Sequence, residues 1–184
     1  PDERVLQQAW LNSRHQTGVK NLMDKAILGF SQGNLAVSSL WRYRKIDELP
    51  FDFERRRLSV LVADEHQQHL ICKGAVDEML AVSTHWMEGG EVRPLDEAAR
   101  QRVQQLAESY NQQGFRVLLV ASREVSGYKL TQPLNAADER DLIITGLLTF
   151  LDPPKESAAA AIAALHENGV TVKILTGDNA IITG

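Results

Sequence analysis

The stretch from Arg56 to Lys73 constrains the fold more than any other. Residues 56–63, RRLSVLVA, alternate cleanly, and Leu58, Val60 and Val62 fall on one face. Residues 68–73, QHLICK, read as a second strand. The connection between them, ADEHQQ, is short and polar. Two apolar strands joined this way pair as an antiparallel hairpin.

Helical and strand signals surround this hairpin. Residues 2–16 and 21–30 have helical spacing, with Asn21 as N-cap of the second and Asp24 at the capping-box position. Residues 40–49 alternate loosely up to Pro50. A short helix is expected over 75–83, and Glu88-Gly89-Gly90-Glu91 reads as a turn. The strongest helix is predicted over 95–113, with Leu95, Ala99, Val103, Leu106 and Tyr110 on one stripe and Gly114 as its C′ residue. A strand is expected over 115–123 and a loop over 126–141. The texture then changes to strand (142–150), DPPK turn, helix (155–168), Gly169 and strand (170–176). That order implies a right-handed βαβ unit with parallel strands. The expected fold class is α+β, an antiparallel sheet flanked by helices, followed by a partial α/β segment. The expected division is 1–144 and 145–184.

The bulk properties remove several function classes. The 184 residues carry a net charge of -4, with 43% hydrophobic and 24% charged residues, as soluble globular domains do. The acidic balance argues against a nucleic-acid partner, which needs a basic footprint. The one cysteine, Cys72, cannot form a disulfide within the chain, and it reads as a small core residue. No apolar run approaches the roughly 20 residues that span a bilayer, so no membrane contact is expected from this stretch. The chain lacks an initiator Met and stops at Gly184, five residues after Asn179. It is expected to be a soluble piece of a longer protein.

Several short motifs could carry chemistry. Thr176-Gly177-Asp178 follows a predicted parallel strand, where open α/β sheets place ligands. Its hydroxyl and acid suit a phosphate and a cation, but Asp178 is equally well read as an N-cap. Asp152 of Asp152-Pro153-Pro154-Lys155 ends the preceding strand the same way, and by itself it reads more simply as a helix cap. Lys73-Gly74-Ala75 closes a strand; the lysine can serve a phosphate as a point charge, although a surface lysine is the default reading. Phe51 follows Pro50 at a sheet rim, where a ring can stack a base or simply join the core. Alternation puts Arg56 on the face of Leu58 and Val60, and Arg116 starts a later strand. The five histidines, including His66 and His69 in a predicted turn, offer no metal-ligand spacing. No metal site is assigned, and neither GxxxxGK[ST] nor GxGxxG occurs.

Taken in order, Asn21…Asp24, Phe51…Arg56, Lys73-Gly74-Ala75, Arg116, Asp152-Pro153-Pro154-Lys155 and Thr176-Gly177-Asp178-Asn179 resemble the cytoplasmic catalytic region of P-type ion-pumping ATPases. The wording NLMDKAIL, KIDELPFDFERRRLSVLV and FLDPPKES is most similar to the bacterial magnesium-importing branch. The resemblance implies a nucleotide-binding domain inserted into a haloacid-dehalogenase-like phosphorylation domain. It implies that Phe51 stacks on adenine and that Asp24, where the family often has Glu, lies near the adenine amino group. Arg56 would lie over the nucleotide, with Lys73 at the base of the pocket, Gly74 allowing close approach and Arg116 on the phosphates. Asp152, Thr176, Gly177 and Asp178 would surround the transferred phosphate and its Mg²⁺.

The implied cofactors are ATP and Mg²⁺. The implied partners are ATP or ADP and the phosphorylation and actuator domains of the same parent, at the cytoplasmic face of the inner membrane. The DKTGT sequence that carries the family's phosphorylated aspartate does not occur, so no catalytic residue is assigned and nucleotide binding without hydrolysis is expected. The rivals are a pump for another cation such as Ca²⁺ or H⁺, a soluble haloacid-dehalogenase-like phosphatase, and a non-catalytic interaction module. The phosphatase needs a DxDx[TV] pentapeptide that the chain lacks.

Overall fold

The predicted hairpin is the middle of the sheet from which the rest is built. In the computed structural model, β2 (Arg57–Ala63) pairs antiparallel with β3 (Gln68–Gly74), in a register running from Arg57 opposite Gly74 to Ala63 opposite Gln68. The structure describes residues 3–18, 20–34, 37–125, 133–151, 170–174 and 181–183, with Asn34 and the last two stretches described by backbone alone. β1 (Arg44–Leu49) adds antiparallel to β2. On the other side β6 (Phe115–Glu124) pairs with β3, and β7 (Leu142–Leu151) pairs with β6, both antiparallel.

The sheet is mixed rather than purely antiparallel. β4 (Ser83–Glu88) runs parallel to the first residues of β7, and β5 (Glu91–Pro94) closes a hairpin on β4. Neither strand is marked by clean alternation, although Gly89 and Gly90, both at positive φ, form the expected turn between them. The order is β1-β2-β3-β6-β7-β4-β5. The later half of β7 pairs instead with β8 (Val170–Ile174), which pairs with β9 (Ile181–Thr183). The β7–β8 pairing is antiparallel, where the βαβ reading required parallel strands. The helix expected over 155–168 lies outside the described residues. The change of texture noted in the sequence falls within the single strand β7.

Side-chain alternation gives the sheet two buried faces. Val60, Val62, Ile71, Val120 and Leu148 face α1 (Glu3–His15) and α2 (Leu22–Asn34), meeting Val5, Leu6, Ala9, Trp10 and Ile27. Leu61, Cys72, Leu119, Ala121 and Leu147 face α3 (Val76–Ala81) and α4 (Glu97–Gln112), meeting Met79, Val103, Ala107 and Tyr110. Each large side chain so buried stabilises the fold by about 1.5–3 kcal/mol. The helix ends follow local chemistry. Asn21 Oδ1 accepts the Asp24 N–H at 2.8 Å, and Asp96 Oδ1 accepts the Ala99 N–H at 2.8 Å. Gly114, at φ 90°, terminates α4 as anticipated.

Gly74 shows how tightly one end of this sheet is drawn together. A Cβ there would press on Cβ of Arg57 and lie 2.7 Å from the Arg56 carbonyl oxygen. The close approach that needs glycine is therefore between neighbouring backbones. Gly29 lies within α2, where an added methyl group would meet nothing within 4 Å. Gly74→Ala is expected to lower unfolding stability by about 1–3 kcal/mol through overpacking. Gly29→Ala should raise it by about 0.5–1 kcal/mol, because glycine is a poor helix residue. Urea denaturation of the two variants checks both signs.

Candidate functional site

Of the residues singled out in the sequence, the Phe51 loop, Lys73, Gly74 and Arg116 converge on one end of the sheet. β1 ends at Leu49, and residues 50–56 loop across to the start of β2. β3 ends with Lys73 and Gly74, opposite Leu58 and Arg57. β6 begins beside them, with Gly74 opposite Leu119 and Arg116 opposite Phe150. Strand order and register thus bring the Phe51 loop, Lys73 and Arg116 to the same end of the sheet.

Lys73 projects onto the face covered by α1 and α2 and is only 4% exposed. Its Nζ lies 2.6 Å from Asp24 Oδ1 and donates to Ser13 Oγ at 2.9 Å. Ser13 Oγ in turn donates to Asp24 Oδ1 at 2.9 Å. Three elements, α1, α2 and β3, meet in this triangle. Burial lowers the Lys73 pKa from its ordinary value, and the Asp24 carboxylate opposes that shift. Asp24 is fully buried and turned inward, so it does not close a capping box at the start of α2.

Only one oxygen of Asp24 is satisfied. Asp24 Oδ2, Asn12 Oδ1 and Gln16 Oε1 are buried acceptors without a hydrogen-bond partner among the described residues. All three sit on the last part of α1, the connection that follows it, and the first turn of α2. Buried polar atoms are normally paired by protein or by ordered water, and Gln68 Oε1 on β3 is a fourth acceptor of this kind. Lys20 lies at the same place, donating to the carbonyls of Gln16 and Arg14; burial lowers its pKa and Asp24 opposes the shift.

A family model described as "P-type ATPase, cytoplasmic domain N" matches residues 11–157. The chain belongs to this family. All of the elements just described, from the end of α1 to β7, lie within the matched residues. Over 182 residues the N domain is 56% identical to a magnesium-transporting ATPase, P-type 1, of Salmonella typhimurium, covering 98% of this chain and 20% of that protein. The Escherichia coli K12 protein of the same name is 47% identical over 181 residues, with the same coverage. A calcium-transporting ATPase of Listeria monocytogenes is 29% identical over 132 residues, covering 72% of this chain and 15% of that protein. The chain spans about a fifth of the length of the magnesium-transporting relatives it matches. Among the described residues, no helix is long and apolar enough to cross a membrane.

The N domain leaves Phe51, Arg56 and Arg116 exposed at that end of the sheet. Phe51 is 47% exposed and meets Phe53, 91% exposed, edge-on at 5.5 Å between ring centroids. Phe51 is therefore an accessible aromatic surface and not a core residue. Arg56 sits just before β2 at φ 53° and pairs with Glu78 of α3 at 3.3 Å. That left-handed backbone breaks the alternation that would have aligned it with Leu58. Arg116 is exposed and has no ion pair among the described residues. Asp152, Thr176, Gly177 and Asp178 lie outside the described residues.

The residue that sequence reasoning missed is Glu139. It is 2% exposed and lies on the other face of the sheet, beside Ser59 and Cys72. Burial and the adjoining Glu139 carboxylate push the Cys72 thiol pKa far up, so this cysteine is an inert core group. Nothing in the run ADERDL distinguishes Glu139 from its acidic neighbours; only the run of three arginines at 55–57 hints that a buried acid is needed.

The Lys73–Asp24 pair makes a direct prediction. Lys73→Met leaves a buried carboxylate unpaired and should cost about 3–5 kcal/mol of stability. Adding Asp24→Leu should restore most of that loss. Thermal or urea unfolding of the single and double variants measures the coupling.

Proposed function

We propose that this N domain binds ATP and presents it for phosphoryl transfer in a cation pump, with Mg²⁺ the transported ion. The observation that supports this reading is the match of residues 11–157 to the P-type ATPase N-domain family, with Phe51, Lys73 and Arg116 carried to one end of the sheet. A carboxylate oxygen accepts from an exocyclic amino group, and an exposed ring offers a stacking face. Adenine supplies both partners.

Arg56 would lie over the nucleotide, and Arg116 would meet the phosphates. Lys73 acts differently, because its ammonium is engaged by Asp24 and orients that carboxylate. In the parent, ATP would arrive as its Mg²⁺ complex. A carboxylate oxygen of an aspartate would attack the γ-phosphorus, ADP would leave, and the aspartyl phosphate would drive transport. The residues after β7, with Asp152, Thr176, Gly177 and Asp178, belong by this proposal to the phosphorylation domain, while residues 145–151 complete the strand that pairs with β6. The actuator and phosphorylation domains would be its partners, at the cytoplasmic face of the membrane. These 184 residues contain no DKTGT, so they are expected to bind nucleotide without turning it over.

The two magnesium-transporting relatives, at 56% and 47% identity, support Mg²⁺ over Ca²⁺, for which the relative cited is 29% identical. An ATP titration followed by amide shifts tests the binding reading. The dissociation constant should be on the order of 0.1–5 mM. Shifts should cluster near Asp24, Phe51, Lys73 and Arg116 and need several-fold more ATP in Phe51→Ala. A folded chain whose spectrum stays still at several millimolar ATP would favour a non-catalytic interaction module.

A further inference from the structure

We infer that Glu139 is a positioning residue, which holds the loop bearing Phe51 and Arg56 in its working shape from the opposite face of the sheet. The inference rests on the nucleotide-binding reading of that loop.

The geometry is specific. Glu139 Oε1 accepts from Arg55 Nη1 and from Arg57 Nε, each at 3.2 Å. Oε2 accepts from Ser59 Oγ at 2.6 Å and from Cys72 Sγ at 3.4 Å. Both oxygens of a fully buried side chain are thus satisfied, by donors from the loop, β2 and β3. A buried carboxylate is tolerated on such terms and costs stability otherwise.

Arg55 carries this anchorage into the loop. Its Nη2 donates to the Pro50 carbonyl at 2.6 Å, and its Nε pairs with Asp52 at 2.8 Å. Nη1 and Nη2 both reach the Arg57 carbonyl at 3.3 Å. One guanidinium therefore ties the loop's beginning to its end. Arg57 Nη1 returns a bond to the Arg55 carbonyl at 3.3 Å. With both flanking arginines drawn inward, the chain between them bends through the left-handed conformation of Arg56, which leaves Arg56 outside.

Phe51 has no core to fix it. Its ring is half exposed and touches Phe53, which is itself exposed. Its position is set by the backbone of residues 50–56; the Arg56 N–H to Asp52 carbonyl bond at 2.8 Å closes the turn locally, and Arg55 and Glu139 fasten that turn to the sheet. A stacking surface held in place before binding loses less entropy when the ligand arrives. An acid that merely stabilised the core would leave loop order and affinity untouched once the chain is folded.

Glu139→Gln keeps the shape and removes the charge. Amide relaxation of the nucleotide-free 184-residue chain is expected to show residues 51–57 losing order, while β2 from Ser59 onward and β3 stay rigid. The ATP dissociation constant should rise about tenfold, as for loss of one charged hydrogen bond. In a Phe51→Ala background the same substitution should change affinity less than about twofold, because the positioned ring is gone. Arg55→Gln, which cuts the link from the loop side, should reproduce the pattern and replaces Glu139→Gln if that variant does not fold. Unchanged loop order, or an affinity loss undiminished by Phe51→Ala, would overturn the inference. Absence of ATP binding by the unsubstituted chain would instead remove the nucleotide reading. Loop order, read without nucleotide, then decides the positioning claim by itself.

Discussion

A buried ammonium needs its carboxylate, and the Lys73–Asp24 pair imposes that requirement on three elements at once. Lys73 is fixed by the β3 register, Asp24 by the first turn of α2 and Ser13 by the end of α1. Sliding either helix along the sheet would strand a charge in an apolar layer, which costs several kcal/mol. The pair thus helps set where α1 and α2 lie on the sheet. It occupies one Asp24 oxygen and leaves the other buried without a partner among the described residues.

Lys73 and Cys72 are consecutive residues of one strand and point to opposite faces. Each meets a buried carboxylate, Asp24 on one side and Glu139 on the other. The first organises the helices beneath the rim. The second organises the loop above it through Arg55 and Arg57. Gly74 follows directly, where the backbones of β2 and β3 approach too closely for any side chain. The run CKG, residues 72–74, therefore records three packing demands in three positions, in addition to whatever a ligand asks of them.

Much of this was legible where local physics decides. The β2–β3 hairpin followed from alternation and a polar turn, and α4 from its apolar stripe and Gly114. Asn21 was found as a cap because its side chain acts on its own helix. The convergence of Phe51, Lys73 and Arg116 on one sheet end follows from strand order and register. The failures are long-range. The parallel β4–β7 pairing joins segments far apart in sequence, and β4 has an irregular burial pattern that hides it. The antiparallel β7–β8 pairing overrode a βαβ reading that rested on local pattern alone. Asp24 sat correctly for a capping box but was drawn inward by Lys73, 49 positions away. Glu139 could not be told from a surface acid, because its partners lie more than 60 positions earlier.

The central proposal is that Asp24, whose second oxygen is buried in the nucleotide-free chain, reads the amino group of adenine. It is tested most directly by titrating the chain with ATP and, in parallel, with inosine triphosphate, which carries a carbonyl acceptor where adenine carries the amino donor. An acceptor facing an acceptor loses the hydrogen bond and leaves both groups unsatisfied, so ATP should bind about tenfold or more tightly. Equal dissociation constants for the two nucleotides would contradict the account.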